Sequence, residues 1–457
     1  MSRPLTRAAL GRTTPPVAAV HLGLGAFFRA HQAAYTALAP DAEQWGFAAF
    51  TGRSPELAAQ LAAQDGLYTL LQRGPDGDRA TVVGSVARTH PGSDTSAWLA
   101  ACASSRVRVM TLTVTESAYR RSAAGGLDLA AEDVRADLAA LRSGTPEPCR
   151  TVPGRLVAGL AARARAGGGA LAMVPCDNLP GNGTVVRRIV TELAGEVGDA
   201  DLSAWIADRV SFVSTEVDRI TPRTTAADVE AVRVLTGRDD GCPVVTEPFT
   251  EWTIAGDFPG GRPAWEAAGA RLVDDVTPYE TRKLWLLNGA HSLLAYAGGA
   301  LGHRTVAEAI ADPRCRAWME GWWDEAVDHL TLPAETLAEY RAALAERFAN
   351  PAIRHLLAQI AMDGSQKLPV RTVPIVLAER VAGRSATAGA RTLGAWIAHL
   401  RGRGAPVHDP RAEELVALAT GPLADAVPRV LTALDARLAD DQELVAVTTA
   451  HIEELSR

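Results

Sequence analysis

Lysine is almost missing from this 457-residue chain: Lys283 and Lys367 are the only two among 46 basic residues. With arginine serving as the general cation, the two lysines mark places where arginine cannot substitute. Arginine stays protonated and cannot act as a base, whereas a desolvated lysine can release its proton near neutral pH. Asparagine is nearly as scarce. Of four, Asn178, Asn182 and Asn288 lie in motif-like segments, and Asn350 sits in an ordinary Asn-Pro turn. The five cysteines are scattered, odd in number and never in CxxC spacing. That excludes a disulfide framework or a structural zinc site and fits reduced cytoplasmic thiols. No run reaches the roughly eighteen apolar residues of a membrane span, and the first residues lack the apolar core of a signal peptide. A soluble cytoplasmic protein without a membrane partner is expected. The 46 basic and 53 acidic residues leave a net charge of −7, which offers no footprint for nucleic acid. At this length, with 47% hydrophobic residues, two or three domains are expected.

Apolar runs at 17–22, 45–50, 68–71, 81–86, 107–114 and 171–175 read as strands. Helical spacing recurs between them at 26–38, 55–61, 95–103, 130–141 and 154–164. Alternation of this kind predicts a parallel, doubly wound sheet. After about residue 275 the pattern is helical throughout, including 284–297, 318–330, 333–346, 353–362 and 370–381. The expected organisation is a loose polar arm (1–16), a Rossmann-type α/β dinucleotide domain (17–275) and a mostly α-helical substrate domain (276–457).

Gly23-Leu24-Gly25 follows a strand and opens a helix at Ala26-Phe27, the setting in which backbone amides at a helix start receive a pyrophosphate. The third glycine of GxGxxG is replaced by Phe28, so the turn alone is a weak signal. Where an acidic residue would hold the adenosine ribose, the chain reads Thr51-Gly52-Arg53. Arg53 suits a 2′-phosphate, which leaves NADP open beside NAD. Cys176-Asp177-Asn178-Leu179-Pro180-Gly181-Asn182-Gly183 also follows a buried strand. Asn182-Gly183 alone is explained by a turn, and Asn178, at the strand mouth, is the better functional candidate. In the helical half, Asn288 would lie about 140° and His291 about 80° from Lys283 around an α-helix, a broad shared sector.

Together, the run 20–32, Thr111-Leu112-Thr113-Val114-Thr115-Glu116, the segment 176–183, Val217-Asp218-Arg219-Ile220-Thr221-Pro222, Glu247-Pro248-Phe249 with Trp252, the segment 283–292 and the segment 363–369 resemble the polyol-specific long-chain dehydrogenases, the mannitol dehydrogenase family. The resemblance spans roughly 17–385 and keeps motif order. It implies metal-independent oxidation of a secondary alcohol with a nicotinamide cofactor, NAD first, held by Gly23, Leu24, Gly25, Ala26, Phe27, Arg53, Thr115 and Glu116. It further implies Lys283 as general base and Asn178 and Asn288 as amides stabilising the oxyanion. His291 would orient the substrate, Lys367 would bind it, Glu280 would stand near the proton path, and Asp218 would lie beside the site. Two departures stand out. Ser117 replaces the lysine of the family's Thr-Glu-Lys-Gly-Tyr. Gln359 stands eight positions before Lys367, where mannitol enzymes carry arginine and fructuronate reductases carry glutamine. With Arg371, this tilts the expected small-molecule substrate from a polyol towards a hexuronate, fructuronate first.

Overall fold

The computed structural model describes residues 3–52, 54–144 and 148–456. The chain divides into two compact units, residues 1–277 and 278–457.

The N-terminal unit is built on a six-stranded sheet of β1 (Val17–Leu22), β2 (Gly46–Phe50), β3 (Val86–His90), β4 (Val109–Leu112), β5 (Leu171–Pro175) and β6 (Val210–Phe212). All its pairings are parallel, in the order β3-β2-β1-β4-β5-β6. This is the Rossmann order, whose switch point lies where β1 separates β2 from β4. The inner strands are buried along their length, which is why they read as unbroken apolar runs rather than alternating ones. The turn after β1, the loop after β4 and the loop after β5 therefore all emerge at the carboxyl edge, which fixes where a ligand can meet the sheet.

Four expectations need correction here and in the second unit. The predicted single helix over 26–38 is two, α1 (Ala26–Ala30) and α2 (Gln32–Leu38). His31 breaks it at φ −118°, ψ −93°, because its ring bonds the Glu251 carbonyl at 2.9 Å and lies against Phe27 and Trp252. The predicted strand over 81–86 straddles two sheets. Residues Gly77–Val83 pair antiparallel with Tyr68–Gly74 outside the main sheet, and Val86 begins β3. The described part of the 1–16 arm, residues 3–16, is docked rather than loose. Leu5 is buried, Arg3–Pro4 pairs with Arg238–Asp239, and the Arg7 guanidinium donates to the carbonyls of Thr13, Asp65, Gly84 and Val86.

Between β5 and the second unit the chain forms α3 (Asn182–Val197) and the antiparallel pair Ser214–Asp218 with Glu251–Ala255. The second unit is helical, with α4 (Thr277–Arg282) leading into it and α5 (Pro313–Val327), α6 (Ala334–Ala349), α7 (Gly364–Arg371) and α8 (Thr387–Leu400) among its members. Almost every residue of α8 is buried, as expected for a helix apolar all round. The fourth correction concerns 353–362, which is mostly irregular. Only Leu357–Ile360 is helical, and Leu356 bridges to Thr305 instead.

Among the described residues, no helix is long and apolar enough to cross a membrane.

Candidate functional site

Gly23 takes φ +108°, and a Cβ there would lie 2.0 Å from the Thr113 carbonyl oxygen. No other residue fits. The Gly23 and Leu24 amides both donate to the Phe50 carbonyl, at 2.9 and 2.8 Å, locking the turn to the end of β2. Gly25 caps α1, and a Cβ there would meet only the Gly23 carbonyl, at 3.5 Å, so this side of the turn is open. Phe28, in place of the third glycine, lies flat on the buried His21 ring with centroids 3.5 Å apart and fills the helix–strand interface. Burial holds the His21 pKa down to about 3, so the ring is neutral and its Nδ1 bonds Thr111 Oγ1 at 2.7 Å.

An open cleft of about 550 Å³ lies at this edge. Phe27, Thr115, Glu116, Asn178 and Val217 line it, so residues from four separate motifs converge there. Asp218, next to Val217, is buried. Leu24 is buried as well, and Ala26 opens α1. Arg53 lies outside the described residues. A glycine turn closed on one side and open on the other, at the switch point and beside a roomy cleft, fits a dinucleotide. The described end of β2 offers no carboxylate: Thr51 there accepts the Gly92 amide at 2.9 Å.

Several motif residues hold the scaffold instead. Asn182 clasps Thr215, donating to its carbonyl and accepting its amide, both at 2.9 Å. Tyr119, after the serine that replaces the family lysine, donates to the Asp177 carboxylate, which also accepts the Leu179 amide at 3.0 Å. Burial raises the Asp177 pKa, opposed by these bonds. Arg219 donates to the carbonyls of Ala30 and Glu247.

In the second unit, the run predicted as an α-helix over 284–297 contains two wide turns. Lys283–Gly289 and Leu294–Gly298 are π-helical, joined by the α-helical Ala290–Leu293. In an i→i+5 ladder the residue five along lies roughly one turn above, so Asn288 is brought over Lys283 instead of being about 140° away. Such turns recur at functional sites. Just before them, Arg282 is buried, with its guanidinium 3.8 Å from the centre of the Tyr340 ring of α6. Glu280, on α4, is half-buried.

His291 is buried, stacked on Phe348 at 4.7 Å and edge-on to His355 at 4.9 Å. Its pKa lies well below the usual histidine value, first through burial and then through His355, Arg347 and Arg371. The buried Nε2 of His291 and Nδ1 of His355 have no hydrogen-bond partner among the described residues. Arg371 donates to the Ser292 hydroxyl at 3.4 Å, and no described carboxylate pairs with it. Lys367 and Arg371 share α7 despite Pro369 between them, but Lys367 points its ammonium at the carbonyls of Met362 and Ile360, at 2.6 and 3.3 Å. Burial, with Arg371 next, lowers the Lys367 pKa. Gln359 is exposed on the short helix before α7.

Reading the sequence missed Phe348, Arg347 and His355, all set against His291. Arg347 and Phe348 lie in the last turn of α6, just past the predicted helix 333–346, and the helical reading of 353–362 hid His355. A trio that could approach a cation, His303, Asp312 and Cys315, lies elsewhere in this unit; Asp312 there already caps α5 and accepts from His303 and Arg314.

The comparisons agree with this division. The family model described as the mannitol dehydrogenase Rossmann domain matches residues 17–267, and that of the mannitol dehydrogenase C-terminal domain matches 275–456. D-arabinitol 4-dehydrogenase of Ralstonia nicotianae is 39% identical over 80% of this chain and 78% of its own. D-mannonate oxidoreductase of Escherichia coli K12 is 37% identical over 84% and 80%. The solved structure of Pseudomonas fluorescens mannitol 2-dehydrogenase with NAD and D-mannitol is 34% identical, covers 100% of this chain and 94% of its own, and superposes with a TM-score of 0.78. A Rossmann sheet in the family's strand order, its glycine turn and its helical partner unit thus come with sequence identity across most of the chain, and the protein belongs to the mannitol dehydrogenase family of polyol and sugar-acid oxidoreductases.

Proposed function

We propose that the protein is an NAD-dependent reductase of a hexuronate, converting fructuronate to D-mannonate. The observation that carries this reading is the cationic surround of His291. The guanidinium groups of Arg347 and Arg371 both act on that ring, which lies edge-on to the His355 imidazole, and Arg371 has no described carboxylate partner. A buried, neutral imidazole beside guanidinium groups suits an anionic substrate, because arginine can grip a carboxylate with two parallel bonds. A neutral polyol would not require that charge. Gln359, in place of the arginine of mannitol enzymes, leaves the cations around His291 to Arg347 and Arg371.

The roles follow from the chemistry of each side chain. The turn at Gly23–Gly25, with Ala26, Phe27, Thr115 and Glu116, holds the cofactor, and a bound nicotinamide supplies or accepts the hydride. NADP is the alternative cofactor. Lys283 takes the hydroxyl proton on oxidation and returns it on reduction. Asn288 and Asn178 donate to the oxygen as negative charge builds there, a preset arrangement whose loss typically costs about 100-fold or more. His291 orients the substrate, with Asp218 and Glu280 in supporting places. Lys367 serves by fixing the start of α7, the helix that carries Arg371. Because Lys283 moves the proton, activity is expected to survive dialysis against EDTA.

Nicotinamide absorbance with fructuronate, tagaturonate, fructose, mannitol and arabinitol, using both cofactors, tests the reading. Fructuronate is expected to have the highest kcat/KM, and Arg371→Ala to raise its KM about 10-fold or more while leaving neutral ketoses nearly unchanged. A clear preference for fructose would move the protein to the mannitol 2-dehydrogenase or arabinitol group.

A further inference from the structure

The wide turn that carries Lys283 and Asn288 is braced from outside its own helix. Trp322 and Trp323, adjacent on α5, each turn an indole N–H onto it. Trp322 Nε1 donates to the Trp285 carbonyl at 2.8 Å, and Trp323 Nε1 donates to the Leu286 carbonyl at 2.9 Å. These two carbonyls lie between the lysine and the asparagine. Both rings are buried; the Trp323 bond is buried and the Trp322 bond partly so, and loss of a donor to a buried carbonyl is costly. The fit is close on the other side as well. A Cβ on Gly289, the last residue of the turn, would fall 2.6–2.8 Å from three atoms of the Trp322 ring. Only glycine lets the indole lie against the turn here.

The same pair reaches His291 through a second contact. The Trp323 ring lies 6.3 Å from that of Phe348, and Phe348 stacks on His291. One dipeptide thus touches the backbone between Lys283 and Asn288 and, through one phenylalanine, the imidazole eight residues after the lysine.

We infer that Trp322 and Trp323 are positioning residues for the proton-transfer turn, holding it in the i→i+5 register that brings Asn288 over Lys283. Without the two donors, the turn can tighten towards an α-helical ladder, which would swing Asn288 away from Lys283. This inference rests on the proposed role of Lys283.

The test compares Trp322→Phe, Trp323→Phe and the double variant with Lys283→Ala and with Trp98→Phe. Trp98 is an equally buried indole whose Nε1 donates to the Arg155 carbonyl at 2.8 Å in the N-terminal unit, so its variant reports the plain loss of such a bond. Replacement of either ring by benzothienylalanine keeps the bicycle and deletes only the donor, in case the smaller ring impairs folding. The substrate is whichever member of the panel the parent enzyme turns over. The double variant is expected to lose kcat by about 10-fold or more, since small displacements of a reacting group cost that much. Its pH profile of kcat should shift, and its affinity for NADH should stay unchanged. Trp98→Phe is expected to lower the melting temperature and leave kcat and its pH profile in place. If Lys283→Ala is inert while the double variant keeps kcat and its pH profile within about two-fold of the parent, the positioning role is overturned. If Lys283→Ala is active, the lysine reading itself falls, and this inference falls with it.

Discussion

The two units present their candidate residues by different physical routes. In the N-terminal unit, topology does the placing. Parallel strands end on one edge, and the loops after β1, β4 and β5 meet there because the strand order reverses at β1. The glycine turn and the helix break at His31 are the local departures in the first of these motifs, and much of the others (Asp177, Asn182, Arg219) serves to hold the loops still. Among the described residues of the helical unit there is no such edge. Residues five apart are brought towards one face because the helix itself is widened, and side chains from α5 donate to its carbonyls. The first route rests on strand order, with the turn glycine fixed by its contact with Thr113. The second places the proposed proton chemistry on a backbone braced by indole donors from another helix.

The sharpest way to break the helical side of this comparison is at Lys283. Lys283→Arg keeps the charge and removes the base, so kcat is expected to fall at least about 100-fold with NADH affinity nearly unchanged. Steady-state kinetics and a fluorescence titration check both halves, and near-parental turnover would end the assignment of the base. The N-terminal counterpart is Gly23→Ala. Its Cβ would meet the Thr113 carbonyl at 2.0 Å with φ positive, so β1 and β4 must part. NADH affinity is expected to drop by about 10-fold or more, with a destabilisation of about 2 kcal/mol or more, seen in the denaturation midpoint.

A smaller effect separates the two lysines. Lys367→Met deletes the donor to the Met362 and Ile360 carbonyls and should lower the melting temperature, while kcat falls only a few-fold. A loss as large as that of Lys283→Arg would give Lys367 a direct chemical role. The smallest effect is on pH. His21 in the first unit has its pKa depressed by burial to about 3, and burial also depresses His291, His355, His399 and His451 in the second. A histidine with a folded pKa below its unfolded value of about 6.5 binds fewer protons when folded. Its contribution is full above that pH and is lost as pH falls. Between pH 7 and 5 the helical unit should therefore lose hydrogen-exchange protection faster than the sheet. Equal losses would remove this contrast.

What was legible in the sequence follows the same division. Strands β1, β2, β4 and β5 and the turn at Gly23 could be read because buried parallel strands leave unbroken apolar runs that stop at glycine or at a polar cluster. The helix break at His31 could not, because its cause is Glu251 and Trp252, more than two hundred residues away in the chain. The pair Ser214–Asp218 and Glu251–Ala255 was also not identified, since it lies outside the main sheet and mixes charged with apolar residues. In the helical unit, the spacing of Lys283, Asn288 and His291 pointed to a shared ligand, but the i→i+5 register has no residue signature of its own. It is braced by Trp322 and Trp323, which only the tertiary structure brings to the turn. His355 was hidden by periodicity that reads as helix and folds as loop.

The scarcity of lysine and the carbonyl cradle of Lys367 also have a spectroscopic consequence. Reductive methylation with ¹³C-formaldehyde would write just two side-chain resonances for the whole chain. The Lys367 amine, half-buried on the carbonyls of Met362 and Ile360, should label slowly and give a fixed, poorly averaged signal. The terminal α-amine labels too, so the Lys283 resonance would be identified as the signal lost in Lys283→Arg. Its chemical shift, followed against pH with and without cofactor, would report the protonation of the proposed base directly, with no need for a substrate.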